Sequence, residues 1–315
     1  MQALGFILRR VLLLVVVLFA VSVLTFAIVN VLPGDVATAV LGDMATPDQV
    51  LAVRKTLGLD QPLAERYLRW LLGVLQGDFG RSLQHGQPIG PILMGRLGNS
   101  AILGLITLAI AAPLAVALGV MAALKPGGVL DRVIGGIAVG AYALPEYVIG
   151  LFGILAFSIW WPVLPGSSLM DPNENPLARP EALILPIGVL ITGMLAFISQ
   201  VTRASMIQVM GSAYIRTAVL KGVPRWRVVM KHAMPNLLPP TIAEIGMYFG
   251  YVIGGLVVVE TLFSYAGLGQ LVTNAVSYRD VPVIQAVVLI VAAAYGIGNL
   301  LADVAALLMN PRLRS

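Results

Sequence analysis

Residues 11–32 read VLLLVVVLFAVSVLTFAIVNVL and contain no charged side chain. A helix needs about 20 apolar residues to cross the hydrocarbon core of a bilayer, and this run reaches that length. Arg9 and Arg10 precede it, which predicts a cytoplasmic amino terminus. The run is longer than a signal-peptide core and ends without an Ala-x-Ala site, so we expect an uncleaved first membrane span.

Five further runs of this kind fill most of the 315-residue chain, which is 58% hydrophobic and 11% charged. Soluble domains carry roughly a quarter charged residues, so the composition indicates an all-α integral membrane protein. We expect a single membrane domain over 1–315. The six predicted spans are Val11–Leu32, Ser100–Leu124, Val133–Trp160, Ala182–Val201, Leu237–Leu262 and Val283–Met309.

The rare residue types exclude several classes of function. The chain has no cysteine, which excludes disulfide scaffolds, thiolate metal sites and cysteine nucleophiles. His85 and His232 lie far apart in sequence, so no metal site is expected. The net charge of +5 is concentrated beside apolar segments. That arrangement is typical of membrane topology and contact with lipid, and it argues against nucleic-acid binding.

The charges also assign the connecting segments to sides of the membrane. The segment after the fourth span carries six basic residues and no acidic residue before Glu244. Residues 33–99 are balanced at six basic against six acidic, and residues 161–181 carry a net charge of −2. Because basic residues accumulate on the cytoplasmic side, we place 203–236 and both termini inside and 33–99 outside.

Two of these segments contain short predicted helices. In the outside segment, the amphipathic stretches Pro47–Leu57 and Pro62–Leu75 have helical spacing. In the inside segment, Ser212–Lys221 is predicted to form a helix that Gly222 ends. Pro224 begins a second predicted helix, Pro224–Ala233, which Pro235 closes. From the residues alone, this basic pair is either a docking site for a soluble partner or a loop near anionic lipid.

One motif resembles a known family. Arg216-Thr217-Ala218, three residues, Gly222, nine residues and His232-Ala233-Met234-Pro235 resemble the signature loop of ABC importer permeases, Glu-Ala-Ala-x3-Gly-x9-Ile-x-Leu-Pro. The form is that of the dipeptide/oligopeptide permease family. The departures are Arg-Thr for Glu-Ala, His232 for Ile and Met234 for Leu.

Other segments resemble the same family in the same order along the chain. The long outside segment between the first two spans resembles that of the first-subunit type. The matching segments are Leu32-Pro33-Gly34-Asp35, Leu57–Leu63, Gly77-Asp78-Phe79-Gly80-Arg81-Ser82, Arg96–Ser100, Glu260–Phe263, Gly267-Leu268-Gly269, Arg279-Asp280-Val281-Pro282 and Asn310-Pro311-Arg312.

The resemblance implies a type I permease of six transmembrane helices with a small periplasmic helical segment (33–99) and a cytoplasmic coupling loop (203–236). It implies a multi-pass protein of the bacterial inner membrane that imports di- and oligopeptides. Its implied partners are a homologous second permease subunit, two ATPase subunits and a periplasmic or lipid-anchored substrate-binding protein. The chain has no Gly-x4-Gly-Lys-Ser/Thr phosphate loop, so we expect no enzyme activity and no cofactor of its own, with ATP and Mg²⁺ bound by the partner ATPases.

The resemblance makes the Ser212–Lys221 helix a coupling helix that docks on an ATPase. Arg216 and Lys221 could pair with acidic groups there, or face lipid headgroups instead. The predicted coupling residues are Ala213, Tyr214, Arg216, Thr217, Ala218, Lys221, Gly222, Pro224 and Arg225.

Four carboxylates lie within or at the edges of the predicted spans, where an unpaired charge costs several kcal/mol. Glu146 follows Pro145 near the middle of the third span and either lines the substrate path or serves as a structural carboxylate. We expect Glu260 and Asp303 to be structural, with Arg312 or a neighbouring subunit as the partner of Asp303. The predicted path residues are Tyr142, Glu146, Tyr147, Glu244 and Tyr248.

Three alternatives remain open at this point. A permease for nickel or another small solute would carry the same motifs. A secondary transporter would need no ATPase and would usually show internal repeats, which we do not find. A structural scaffold would leave the inside helix pair without a role.

Glycines at 246, 250 and 254 predict close helix packing on the fifth span.

Overall fold

A computed structural model of the chain describes residues 2–31, 46, 48, 51, 60–170 and 174–309. These residues form helices, and the one extended pairing among them is an antiparallel bridge between Arg81 and Pro88. The predicted all-α class is therefore confirmed. The α-helices are α1 Gln2–Val31, α2 Leu63–Leu75, α3 Ile89–Ala123, α4 Val129–Ala143, α5 Glu146–Ile154, α6 Glu181–Met210, α7 Ala213–Leu220, α8 Arg225–Arg227, α9 Met234–Leu262, α10 Leu268–Ser277 and α11 Val281–Met309.

Within the described residues, four segments are long and apolar enough to cross a membrane unaided, and two bent helix pairs bring the number to six. The four segments are Gly5–Ile28, Ile89–Ala123, Glu181–Met210 and Val281–Ala305; the bent pairs are Val129–Ala143 with Glu146–Trp160 and Arg225–Tyr248 with Val252–Leu262. These six correspond in order to the predicted spans. Several helices extend beyond the predicted boundaries: α1 begins at Gln2 rather than Val11, α3 begins at Ile89 rather than Ser100, and α6 continues past Val201 to Met210.

The predicted span Val133–Trp160 is present as a bent pair of helices rather than one straight helix. The span breaks at Leu144 and Pro145, and the direction of the second helix is bent by 102° from that of the first. Proline lacks a backbone N–H and disfavours the helical conformation of the residue before it. Leu144 accordingly adopts an extended conformation with φ −97° and ψ 131°. Glu146 thereby becomes the first residue of α5, which ends in the wider π-helical turns of Leu155–Trp160.

The helices fall into two compact units, each treated by itself. The first comprises the described residues of 1–11, 101–265 and 295–315. Its central element is α6, which is buried along its length by α4, α5 and α9. Arg10 forms an ion pair with Asp303 at 3.0 Å in this unit. Arg10 is therefore a partner of Asp303 that the sequence did not predict. The predicted partner Arg312 lies outside the described residues, and the alternative of a neighbouring subunit stays a prediction.

Small residues let the helices of this unit approach closely. Cβ atoms added at Gly246 and Gly250 would collide with Ala302 and Tyr295 of α11, which confirms two of the three predicted packing glycines. At Gly254 an added Cβ would meet no described heavy atom within 4 Å. A third close approach lies between α3 and α6, where a Cβ added at Gly119 would collide with α6.

The second unit comprises the described residues of 12–100 and 266–294. Its apolar core includes Phe79, Ile89, Leu93, Leu268 and Val283. Helix α2 confirms the predicted Pro62–Leu75 helix, whereas the predicted Pro47–Leu57 helix lies almost entirely outside the described residues.

A buried carboxylate holds together two of the family-like motifs in this unit. Asp280 accepts hydrogen bonds from the Ser82 hydroxyl, the Leu83 N–H at 3.1 Å and the Gln84 N–H at 3.3 Å. Asp280 is only 2% exposed. The Gly77–Ser82 loop is therefore fixed to the start of α11 through hydrogen bonds to an ionised acceptor, which are among the stronger kinds.

We expect Gly119→Ala to lower the midpoint of thermal unfolding of the detergent-purified full-length chain. A Cβ at this position would lie 2.6 Å from both the Ser199 carbonyl oxygen and the Thr202 Cβ. Overpacking of this kind costs about 1–3 kcal/mol. The matched control is Gly136→Ala, where no described heavy atom lies within 4 Å of the new Cβ. The control should unfold at or slightly above the wild-type midpoint, and equal midpoints for the two variants would contradict the close α3–α6 approach.

Candidate functional site

Helix α7 begins and ends where the sequence predicts. Ser212 precedes it in an extended conformation, and Lys221 is its last partly helical residue. Gly222 follows with φ +76°, a left-handed conformation that favours glycine. The Gly222 N–H donates to the Val219 carbonyl at 2.9 Å, and the Val223 N–H donates to the Ala218 carbonyl at 3.2 Å. This pair of bonds is a Schellman motif, which satisfies the last carbonyls of the helix and fixes the turn.

One face of α7 is buried against its own chain. Ile215 and Ala218 pack into an apolar cluster with Met206 of α6, Val228 and Leu237. Ile215 is only 2% exposed. The helix is therefore seated on α6 and α9 by a continuous apolar contact. Ala218, predicted as a coupling residue, faces inward and supports the helix.

The predicted second helix differs from the observed one. Pro224 precedes α8 in an extended conformation, and α8 passes at once into the π-helical turns Val228–Ala233. These turns run directly into α9, with Pro235 in its first turn. The prediction that Pro235 closes the helix is wrong, because the helical turns of Val228–Ala233 continue through Pro235 into α9.

Two polar attachments bind the α3–α4 turn to this region, and sequence reasoning missed both. Arg203 of α6 forms a bidentate ion pair with Asp131, through its Nε and through Nη2 at 2.7 Å. Asp131 also accepts from the Gly127 N–H at 2.7 Å, and it is 7% exposed. Arg225 Nη2 donates to the Leu124 carbonyl at 2.7 Å. The one sequence signal was an aspartate inside a short basic segment, which gave no partner.

The opposite face of α7 and the segment after it are exposed. We name the residues Tyr214, Arg216, Leu220, Lys221 and Trp226 the coupling face. Leu220 is 81% exposed and Trp226 is 60% exposed, while the two cations beside them are exposed as well. Large apolar side chains that remain exposed next to charged groups are typical of an interaction surface. Of the other predicted coupling residues, Ala213, Thr217, Gly222 and Pro224 are exposed, and Arg225 is exposed with its guanidinium on Leu124.

A second cluster surrounds Glu146 at the break between α4 and α5. A Cβ added at Gly255 would lie 2.7 Å from Glu146 Oε2. A Cβ added at Gly193 would lie 3.0 Å from the Tyr248 hydroxyl oxygen and 3.6 Å from Glu146 Oε1. The two glycines therefore make room for the carboxylate and bring it near Tyr248. Phe197 stacks on the Tyr248 ring with centroids 5.5 Å apart.

The other predicted path residues are not joined to this cluster. Tyr142 is 69% exposed and Tyr147 is 52% exposed. Glu244 is half-buried on α9, one helical turn before Tyr248. Among the residues that the structure describes, no ion pair or hydrogen bond links Glu146 to any of the three. The same part of the chain contains no group of three His, Asp or Glu side chains that could hold a metal ion.

Comparison with known families accounts for this arrangement. The family model "Binding-protein-dependent transport system inner membrane component" matches residues 115–315, and "Binding-prot-dependent transport system membrane comp, N-term" matches residues 3–104. The chain therefore belongs to the family of inner membrane components of binding-protein-dependent transport systems. This confirms the resemblance to ABC importer permeases and makes the chain a multi-pass inner membrane protein.

Individual relatives align along almost the whole chain. A probable peptide ABC transporter permease protein of Sinorhizobium fredii is 36% identical, over 98% of this chain and 99% of the relative. The dipeptide transport system permease protein DppB of Escherichia coli strain K12 is 34% identical, over 99% of each chain. A crystal structure of an amino acid ABC transporter with histidines has a TM-score of 0.52 at 17% identity and covers 70% of this chain and 94% of that one. This last likeness concerns the fold alone and agrees with the predicted permease fold.

We expect Gly222→Val to destabilise the protein by about 1–2 kcal/mol, because a side chain at φ +76° is strained and a β-branched one most of all. Gly222→Asn is the matched control, since asparagine tolerates the left-handed conformation. The readout is the midpoint of thermal unfolding of the purified full-length chain. An unchanged midpoint for the valine variant would contradict the turn described for the end of α7.

Proposed function

We propose that this chain is a membrane-spanning permease subunit of an ATP-driven importer that takes up di- and oligopeptides across the bacterial inner membrane. The full-length relatives named as peptide and dipeptide permeases support the substrate class. The observation that carries the mechanism is α7, a capped helix that is packed on its own chain on one face and exposed on the other. In this proposal the chain forms half of the translocation path, and a homologous second permease subunit forms the rest.

The remaining partners follow from the same proposal. Two ATPase subunits bind from the cytoplasm, one on each permease subunit, and this chain presents its coupling face to one of them. The ATPases hold ATP and Mg²⁺, because this chain carries no phosphate loop. A periplasmic or lipid-anchored binding protein delivers the peptide from the other side. The termini, residues 203–236 and the coupling face then all lie in the cytoplasm, as the distribution of basic residues favours.

Transmission of force requires that the docked element does not yield. A flexible loop would absorb the closure of two ATPases, whereas a seated helix moves as a rigid body with its neighbours. Helix α7 meets this requirement through the apolar contact of Ile215, and the neighbouring segment does so through the Arg225 bond to Leu124. The Arg203–Asp131 pair extends the attachment to α4. Movement of the coupling face would therefore displace α3, α4, α6 and α9 together.

We propose that Glu146 lines the path at the point where the third span breaks. The break ends one helix and begins another, so backbone groups are available there to a polar solute. The carboxylate is held near the Tyr248 hydroxyl, and both groups are hydrogen-bond acceptors for the amino group of a peptide. A charge at membrane depth is costly unless it faces water or a partner. A water-filled passage beside Glu146 would solvate its carboxylate and remove that cost.

The docking proposal is tested with single cysteines carrying a photo-cross-linker, since the chain has no native cysteine. Labels at Arg216→Cys and Leu220→Cys should attach an ATPase subunit in the purified, ATP-hydrolysing complex. The control is Tyr278→Cys, directly after α10, where the side chain is 63% exposed and the label should not attach an ATPase subunit. If neither α7 position captures an ATPase in a complex that hydrolyses ATP, the coupling role is wrong.

We expect Glu146→Gln to reduce peptide uptake about tenfold or more, because loss of a charge-assisted hydrogen bond costs about 1.5–3 kcal/mol. Uptake of a labelled dipeptide by proteoliposomes is the measurement, with ATPase binding as the check on assembly. The same replacement at Glu181, exposed at the start of α6, is the control and should leave uptake unchanged. Unchanged uptake by the Glu146 variant at several pH values would contradict the path role.

A further inference from the structure

Helix α2 packs on the later part of the first membrane-spanning helix. The Phe26 ring of α1 lies 5.4 Å from the Tyr67 ring and 5.8 Å from the Trp70 ring, measured between centroids. The Ser22 and Tyr67 hydroxyl oxygens are 2.8 Å apart. The apolar segment of α1 ends at Ile28, two residues after Phe26. We infer that α2 lies near the end of this span, where the bilayer would meet water.

A second face of α2 exposes a leucine stripe. Leu68, Leu72 and Leu75 follow one another at helical spacing of four and three residues and are 57%, 58% and 75% exposed. Leu24 and Ile28 on the neighbouring part of α1 are exposed to a similar degree. Apolar side chains presented in this way beside a membrane span are positioned to contact acyl chains.

The third face of α2 forms one wall of a cavity of about 440 Å³. Arg66 and Arg69 line it from α2, and Asp78 and Arg81 line it from the following loop. Three arginines against one aspartate give the lining a formal charge of +2. The aromatic side chains of Phe26, Trp70 and Phe79 complete the wall. A cavity that combines guanidinium groups with aromatic rings at the membrane surface is chemically suited to an anionic headgroup.

In the described residues, the cavity's arginines outnumber its one carboxylate, Asp78. The Asp78 carboxylate accepts from the Gly80 N–H at 2.9 Å, and Arg81 donates to the Gly86 carbonyl at 3.3 Å. Within the described parts of the chain, neither Arg66 nor Arg69 forms an ion pair. Burial lowers the pKa of Arg66, as expected when a cation is partly removed from water. An anion in the cavity would compensate this cost.

We propose that the cavity binds the phosphate of an anionic phospholipid, whose acyl chains cover the leucine stripe. Arginine is suited to this ligand because its planar fork can hold two phosphate oxygens at once. A free phosphate would satisfy the guanidinium groups but leave the leucines uncovered. An acidic protein surface would pair with the guanidinium groups from the water side, but it would not cover the apolar leucine side chains at membrane level. The lipid accounts for both faces of α2 together and is independent of the transported solute.

The test uses Trp70 as a reporter in the full-length chain, with Trp160, Trp161 and Trp226 replaced by Phe. Bromine-labelled phosphatidylglycerol and bromine-labelled phosphatidylcholine are titrated separately into the detergent-purified protein, and quenching of Trp70 fluorescence is recorded. Because guanidinium groups near a membrane surface favour an anionic headgroup, phosphatidylglycerol should reach half-quenching at an about tenfold lower mole fraction than phosphatidylcholine. Equal half-quenching by the two lipids would overturn the proposal.

Variants separate the cavity from general surface charge. Arg66→Gln/Arg69→Gln should abolish the tenfold preference, whereas Arg179→Gln, which removes an exposed charge elsewhere, should retain it. Arg66→Lys/Arg69→Lys keeps the charge and should keep part of the preference. This variant is titrated in its place if the glutamine variant is not folded at the temperature of the titration. Retention of the full preference by a folded glutamine variant would overturn the proposal.

The other two ligands have their own readouts. If inorganic phosphate at physiological concentration removes the lipid preference, the site belongs to the free anion and the lipid proposal is wrong. If the glutamine variant keeps the lipid preference but loses capture by the cognate binding protein, the cavity is a protein-docking surface and the proposal is equally wrong. Lipid preference that phosphate does not remove, and that the two arginines create, supports the proposal.

Discussion

Inside a bilayer there is no water to satisfy a backbone N–H or carbonyl, so each must find its partner within the same helix. This constraint explains why the described residues are helical and why departures from helix are few and specific. The largest departure is at Leu144 and Pro145, where two half-helices meet at 102°. Such a break exposes polar backbone groups at a depth where the hydrocarbon offers no partners. It is tolerated where protein or a water-filled space receives them, and Glu146 lies at that point.

The same constraint makes the ends of helices the places where this protein can interact with others. Helix α7 lies between two long membrane helices and packs on them by an apolar contact, while arginines before and after it bind the segment that joins α3 to α4. Each attachment uses a different kind of force. The Ile215 cluster excludes water, the Arg203–Asp131 pair is a partly buried ion pair, and Arg225 binds a main-chain carbonyl. The region around α7 is held together in these three ways and resists displacement in more than one direction, which suits a surface on which other subunits act.

The sequence predicted the elements whose signals are local. Helix α7, the Gly222 turn and α2 were found because caps, glycine and amphipathic spacing lie within a few residues of one another. The start of α3 was misplaced because Arg96 and Asn99 suggested a boundary, whereas Ile89 and Leu93 are buried in the core of the second unit and continue the helix. Pro235 suggested a stop, although the π-helical turns before it continue through the proline into α9. Asp131 and Arg203 are 72 residues apart, and their pairing depends on how α4 and α6 pack. The room around Glu146 likewise depends on Gly193 and Gly255, which carry no chemical signal.

Helix α6 bears Gly193, beside the Glu146 carboxylate, and Arg203, at the ion pair near the coupling face. Ten residues of α-helix separate them, a distance of about 15 Å along the axis. A helix of that length is stiff, so a displacement at one end moves the other end by nearly the same amount. In the proposed mechanism, the solute path at Glu146 and the ATPase-docking region near Arg203 are therefore joined by a single helix, and a displacement at one end would reach the other directly.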